Sequence, residues 1–94
     1  MTNRLSIALL EDTHTFPGTY MFKVIGKVEN GFVARVVAAV RDELADEADP
    51  PFHFREAAGG RHVSVTVEPR VQTAQQVLDI YRRIKKMAGI VLLL

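Results

Sequence analysis

The stretch Phe16-Pro17-Gly18-Thr19-Tyr20-Met21-Phe22-Lys23-Val24-Ile25-Gly26 decides the fold. Its proline and glycine mark a turn. From Tyr20 to Val28 the side chains then alternate, with Tyr20, Phe22 and Val24 on one face and Lys23 and Lys27 on the other. Period-two alternation of aromatic and β-branched residues predicts a strand with one buried face. Ile25 interrupts the polar face. The strand stops on a glycine ahead of a helical pattern, so a strand-to-helix unit is the first building block.

Working outward, Asn30 reads as the N-cap of a helix over residues 31–45, in which Phe32, Val33, Val36, Val37, Val40 and Leu44 fall at helical spacing. Its valines lower intrinsic helix propensity, so tertiary packing has to hold it. Asp49-Pro50-Pro51 ends it, because proline cannot continue a helix. Phe52-His53-Phe54-Arg55 alternates again, Ala57-Ala58-Gly59-Gly60 turns the chain, and Val63, Val65 and Val67 alternate with Ser64, Thr66 and Glu68. Gly59-Gly60 is a tight-hairpin signal. Thr73 and Gln76 fit a capping box. Val77, Ile80, Tyr81 and Ile84 form an amphipathic stripe behind it, with Arg82, Arg83, Lys85 and Lys86 near the helix end, where the dipole favours cations. Gly89 stops this helix, and Ile90 to Leu94 close the chain as a strand.

The order is βαββαβ. Right-handed crossovers over one antiparallel sheet predict an α+β, ferredoxin-like sandwich: four strands in spatial order 4-1-3-2, with both helices on one face. Residues 1–15 read as an N-terminal arm whose Leu5, Ile7, Leu9 and Leu10 dock on a single domain over residues 16–94. Phe22, Phe32, Phe52, Phe54 and Tyr81 are expected in the core. Lys23, Ile25, Lys27, His53, Arg55, Ser64, Thr66 and Glu68 are expected on the open sheet face.

Composition narrows the function classes. The chain has 94 residues, 48% of them hydrophobic, which suits one compact core. Twelve basic and 11 acidic side chains leave a net charge of +1, without the basic excess usual for nucleic-acid binders. With no cysteine there is no disulfide, thiolate metal site or cysteine nucleophile, which fits a cytoplasmic setting. The apolar runs at the two ends are too short for a signal peptide or a membrane span.

The same residues resemble a known family. Phe16-Pro17 followed by Tyr20-Met21-Phe22-Lys23-Val24-Ile25-Gly26 is similar to the F-P-x-x-Y-x-F-K-V-x-G block of the YbeD-like proteins, small bacterial proteins of unknown function. Gly60-Arg61-His62-Val63-Ser64-Val65-Thr66-Val67 resembles their hairpin strand, and Val77 through Tyr81 their second helix. His62 stands where that family usually has tyrosine, and Ala57 where it often has serine. The resemblance implies a fold similar to the ACT regulatory domains, which bind small effectors, and it carries no catalytic residue to this chain.

Three sharper functions are weighed and set aside. His53 and His62 are expected opposite Thr66 and Ala57, about 13 Å apart along the hairpin, too far to share a metal ion. The segment from Gly26 to Arg35 has a superficial likeness to the phosphate loop of acylphosphatases, but its spacing is off and Arg35 falls on the outer side of the helix. RNA binding on the open face needs exposed rings on the central strands, and those strands offer Lys23, Ile25, Lys27, Ser64 and Thr66 instead.

What remains is a non-enzymatic regulatory or interaction module that binds a small effector or a protein partner, with no cofactor and no metal. Candidate ligand-binding residues are Lys23, Lys27, Asn30, Gly31, Arg55, Gly59, Gly60 and His62. The uncharged C-terminal strand, predicted to lie at a sheet edge, points to a homodimer through an edge strand or the open sheet face. Acylphosphatase-like chemistry and weak RNA binding are the alternatives.

Overall fold

The computed structural model describes residues 5–94. Its elements run α1 (Ile7–Thr13), β1 (Gly18–Thr19), β2 (Phe22–Lys27), α2 (Phe32–Glu43), β3 (Phe52–Glu56), β4 (His62–Val67), β5 (Arg70–Val71), α3 (Ala74–Lys85) and β6 (Ile90–Leu93). The fold is α+β with antiparallel pairing throughout. Four strands form one sheet in the order β3-β4-β2-β6, and β1 pairs with β5 in a second.

The second sheet departs from the expected single one, and Pro69 explains it. Gly18 faces Val71 and Phe22 faces Val67, so both pairs keep one register. Between them the Tyr20 N–H donates to the Pro69 carbonyl at 3.0 Å. Proline has no N–H to return that bond, so the ladder breaks and resumes.

The opening strand places its side chains as alternation requires. Phe22, Val24 and Gly26 are buried, while Lys23 and Lys27 face outward. Val63, Val65 and Val67 of β4 complete the sheet's side of the core. Val36, Val37 and Val40 of α2 and Val77, Ile80 and Ile84 of α3 cover it from one side. Tyr81 meets the Tyr20 and Phe22 rings edge to face, and the Tyr20 and Phe22 rings are tilted with centroids 4.9 Å apart. The Tyr20 and Tyr81 hydroxyls meet at 3.3 Å.

Two expectations near helix starts need correction. Within the N-terminal arm, residues Ile7–Thr13 form a helix: Ser6 caps it by accepting from the Leu9 N–H, and Leu10 is buried against the rest of the core. Leu5 packs at the core margin, whereas Ile7 and Leu9 stay exposed. For α2 the N-cap is Gly31, in left-handed conformation and with no side-chain cap bond, so Asn30 does not cap. Asn30 is itself left-handed, with φ 54. At α3 the Thr73 hydroxyl accepts from the Gln76 N–H at 3.2 Å, as the capping box predicts, but the Gln76 side chain reaches back one residue further, to the Gln72 N–H.

Candidate functional site

The sequence candidates fall into two groups. The β2–α2 loop, the β3–β4 hairpin and the turn before β6 meet at one end of the sheet: Lys27 pairs with His62, the Val28 N–H donates to the Arg61 carbonyl, and the Lys27 N–H donates to the Gly89 carbonyl. Lys27, Asn30, Gly31, Gly59, Gly60 and His62 therefore gather at that end. Lys23 sits four residues back along β2, beside Thr66, and Arg55 sits across β4 beside Ser64. Lys23, Lys27, Arg55 and His62 share the open face but do not converge on one point. Among the described residues none of these four forms an ion pair; the pairs present belong to Arg41, Arg82 and Arg83.

The hairpin keeps its expected register, with His53 opposite Thr66 and the Ala57 N–H bonded to the His62 carbonyl. Its tight turn, however, is Ala57–Gly60, closed by the Gly60 N–H on the Ala57 carbonyl at 2.9 Å. Gly59, at the third position of that turn, adopts a positive φ of 93, a conformation open to glycine at no steric cost. No group of three or more His, Asp or Glu side chains gathers in metal-holding geometry among the described residues.

Arg35, the residue of the acylphosphatase-like alternative, pins loops together. Its Nε donates to the Asn30 carbonyl at 2.9 Å and one terminal nitrogen to the Ala88 carbonyl at 3.0 Å. The other terminal nitrogen lies 3.5 Å from the Glu29 carbonyl, and the guanidinium sits over the Phe32 ring. Each of its three nitrogens thus faces a backbone carbonyl.

A further concave surface borders only one of these candidates, Gly31. Phe52 and Phe54, expected in the core, are 42% and 53% exposed. They sit on β3, an edge strand, and point to the helical side, because their partners Val67 and Val65 are buried there. Among the described residues no helix covers them, since α2 packs on β4 and β2. The result is a groove of about 700 Å³ between α2 and β3, floored by Phe32, Val33, Val37, Ala38, Phe52 and Phe54. Its rim carries Glu29 and Glu56, and Arg41, which bridges Asp42 and Asp49 at 3.0 Å each. These carboxylates hold the Arg41 guanidinium above its ordinary pKa, Asp42 most of all.

Among the described residues no strand pairs with the edge beside the groove. The Glu68 N–H donates to the Pro51 carbonyl and the Ala57 N–H to the His62 carbonyl. In an antiparallel ladder the hydrogen-bonded residues alternate, so His53 and Arg55 also turn their polar groups toward β4. Phe52, Phe54 and Glu56 thus direct their N–H and C=O groups to the open edge. The sequence signal that could have found this is position: in the predicted strand order this strand is an edge, and its phenylalanines alternate with exposed polar residues like any half-covered strand.

Comparison with known proteins follows the same outline. The DUF493 family, described as a protein of unknown function, matches residues 11–94. A UPF0250 protein of Chromobacterium violaceum is 30% identical over 71 residues, covering 76% of this chain and 80% of that protein. A UPF0250 protein of Paraburkholderia phytofirmans is 32% identical over 73 residues, covering 77% and 81%. The solution structure of protein HP0495 from H. pylori aligns with a TM-score of 0.62 at 13% identity, covering 99% of this chain and 98% of that one. That likeness is one of fold. The matched families uphold the YbeD-like resemblance.

Proposed function

We propose that this chain, which belongs to the DUF493 family of proteins of unknown function, is a non-enzymatic interaction module that takes a protein partner on β3 and the adjoining groove. The observation that carries this reading is the exposure of Phe52 and Phe54, 42% and 53%, on an unpaired edge strand. Large apolar side chains on a free edge are a liability unless something covers them. An extended partner segment satisfies both needs at once: its backbone bonds to the open edge, and its side chains fill the groove. The sheet order β3-β4-β2-β6, with helices on one face, supports a ferredoxin-like sandwich as the frame that holds this edge rigid.

The test is a photo-reactive phenylalanine analogue placed at position 54, with position 91 on the opposite edge as control. Irradiation in bacterial cells is expected to give a defined protein adduct from position 54. Equal labelling from both positions, or none from position 54, contradicts the reading.

A further inference from the structure

We infer that the partner strand is β3 of a second copy of this chain, joined antiparallel about a two-fold axis at Phe54. The inference rests on the interaction-module reading above and names its occupant. Three observations point to self-pairing.

The first is length. The open edge is bounded by Pro50-Pro51 on one side and by the turn that begins at Ala57 on the other, leaving Phe52–Glu56. A ladder centred on Phe54 pairs all five of these residues with their copies. It sets Phe54 against Phe54, Phe52 against Glu56, and His53 against Arg55 of the second copy. The residues that donate and accept across it, Phe52, Phe54 and Glu56, are those already facing outward.

The second is the exclusion of neighbouring registers. Centred on His53, the ladder would need a donor at Pro50, which has none. Centred on Arg55, it would set two guanidinium groups directly opposite, and like charges facing across strands destabilise. The Phe54 register has neither defect. It faces each charged side chain with a ring: Glu56 with a phenyl, Arg55 with an imidazole.

The third is the edge itself. β3 pairs with β4 in unbroken register, with no bulge and no internal proline to discourage addition of a strand. A two-fold contact of this kind is closed, so it ends as a dimer and leaves no further β3 edge exposed. Four phenyl rings from two copies then shield one another on the helical side.

The contact is small, at or below about 1,200 Å² in total, so the dimer is expected to be reversible. Sedimentation of the full chain should therefore show a weight-average mass that rises with concentration toward twice the 10.5 kDa of one chain. Cysteine trapping then reads the register, helped by the absence of native cysteine. Residues 53 and 55 of opposite copies form a non-hydrogen-bonded pair, with Cα atoms about 4.5 Å apart, within disulfide reach. A mixture of His53→Cys and Arg55→Cys chains should oxidise mainly to the mixed dimer. Preferential crosslinking of either variant with itself overturns the Phe54-centred ladder, as does a dimer that none of the pairs traps. A chain that stays monomeric at high micromolar concentration overturns self-pairing altogether. Should position 54 then still photo-label another protein, the module reading stands and only its occupant changes. Circular dichroism of each exposed-site variant, expected to match the parent, guards against loss of fold.

Discussion

The ring of Phe32 stands where a side chain on Gly26 would have to go. Gly26 ends the buried face of β2, and Phe32, 2% exposed, is the first residue of α2. The glycine therefore lets the helix start lie directly on the strand it follows. Gly26→Ala is expected to destabilise the fold by about 1–3 kcal/mol, the usual cost of overpacking. Adding Phe32→Leu should recover part of that loss, read from urea midpoints. Additive losses would show that the two side chains do not compete for space.

Tyr81 makes the fold sensitive to alkali. Burial, then the hydrogen bond shared with the Tyr20 hydroxyl, raises its hydroxyl pKa well above the ordinary value of 10.0. The folded state keeps this proton after the unfolded chain has released it. The contribution is thus fully present below about pH 10 and declines as pH rises beyond it. Chemical denaturation from pH 8 to 11 should show stability falling faster in the parent than in Tyr81→Phe. Parallel profiles would contradict the assignment.

Arg35→Ala should release the carbonyls of Asn30 and Ala88 and loosen the loops at that end of the sheet. The expected loss is about 1 kcal/mol, which lowers Tm by roughly 4–8 °C in a domain of this size. The parent protein is expected not to turn over acyl phosphates. Hydrolysis that vanishes in the variant, with Tm unchanged, would make Arg35 a ligand instead of a pin.

Leu10 is 1% exposed although it belongs to a seven-residue helix. Leu10→Ala should cost about 2–5 kcal/mol, as for a buried leucine. A loss below about 0.5 kcal/mol would show that Leu10 does not anchor α1 to the core.

Much of this frame was legible in the sequence because local signals and global packing agree there. Alternation from Tyr20 to Lys27 survives in the structure, as does the Thr73 cap, whereas on β4 Thr66, expected on the open face, is buried like Val65 and Val67 beside it. Reading failed where tertiary context overrides the local pattern. Ile7–Thr13 is helical because Ser6 caps it, a fact that does not show in a mixed polar run. Gly31 displaces Asn30 as N-cap because the chain crosses from β2 to α2 through two left-handed residues. Pro69 splits one ladder into two sheets, an effect that depends on which strand lies opposite.

The candidate site was the least legible part. Basic residues and loop glycines drew attention to Lys23, Lys27 and the hairpin tip. The structure spreads these over an open face and one end of the sheet. Phe52 and Phe54 alternate as buried residues do, and only the placement of α2 over β2 and β4 leaves them uncovered.

The central claim is that Phe52 and Phe54 serve association and not the core. The most direct measurement compares the Phe52→Thr/Phe54→Thr double variant with the parent, by urea denaturation and by crosslinking from a photo-reactive residue at position 56 on the same edge. Threonine keeps strand propensity while removing the rings. The account predicts a stability loss within about 2 kcal/mol, against about 3–5 kcal/mol for each buried phenylalanine, together with loss of the crosslinked adduct. A variant that unfolds or loses most of its stability, yet still forms the adduct, would contradict it.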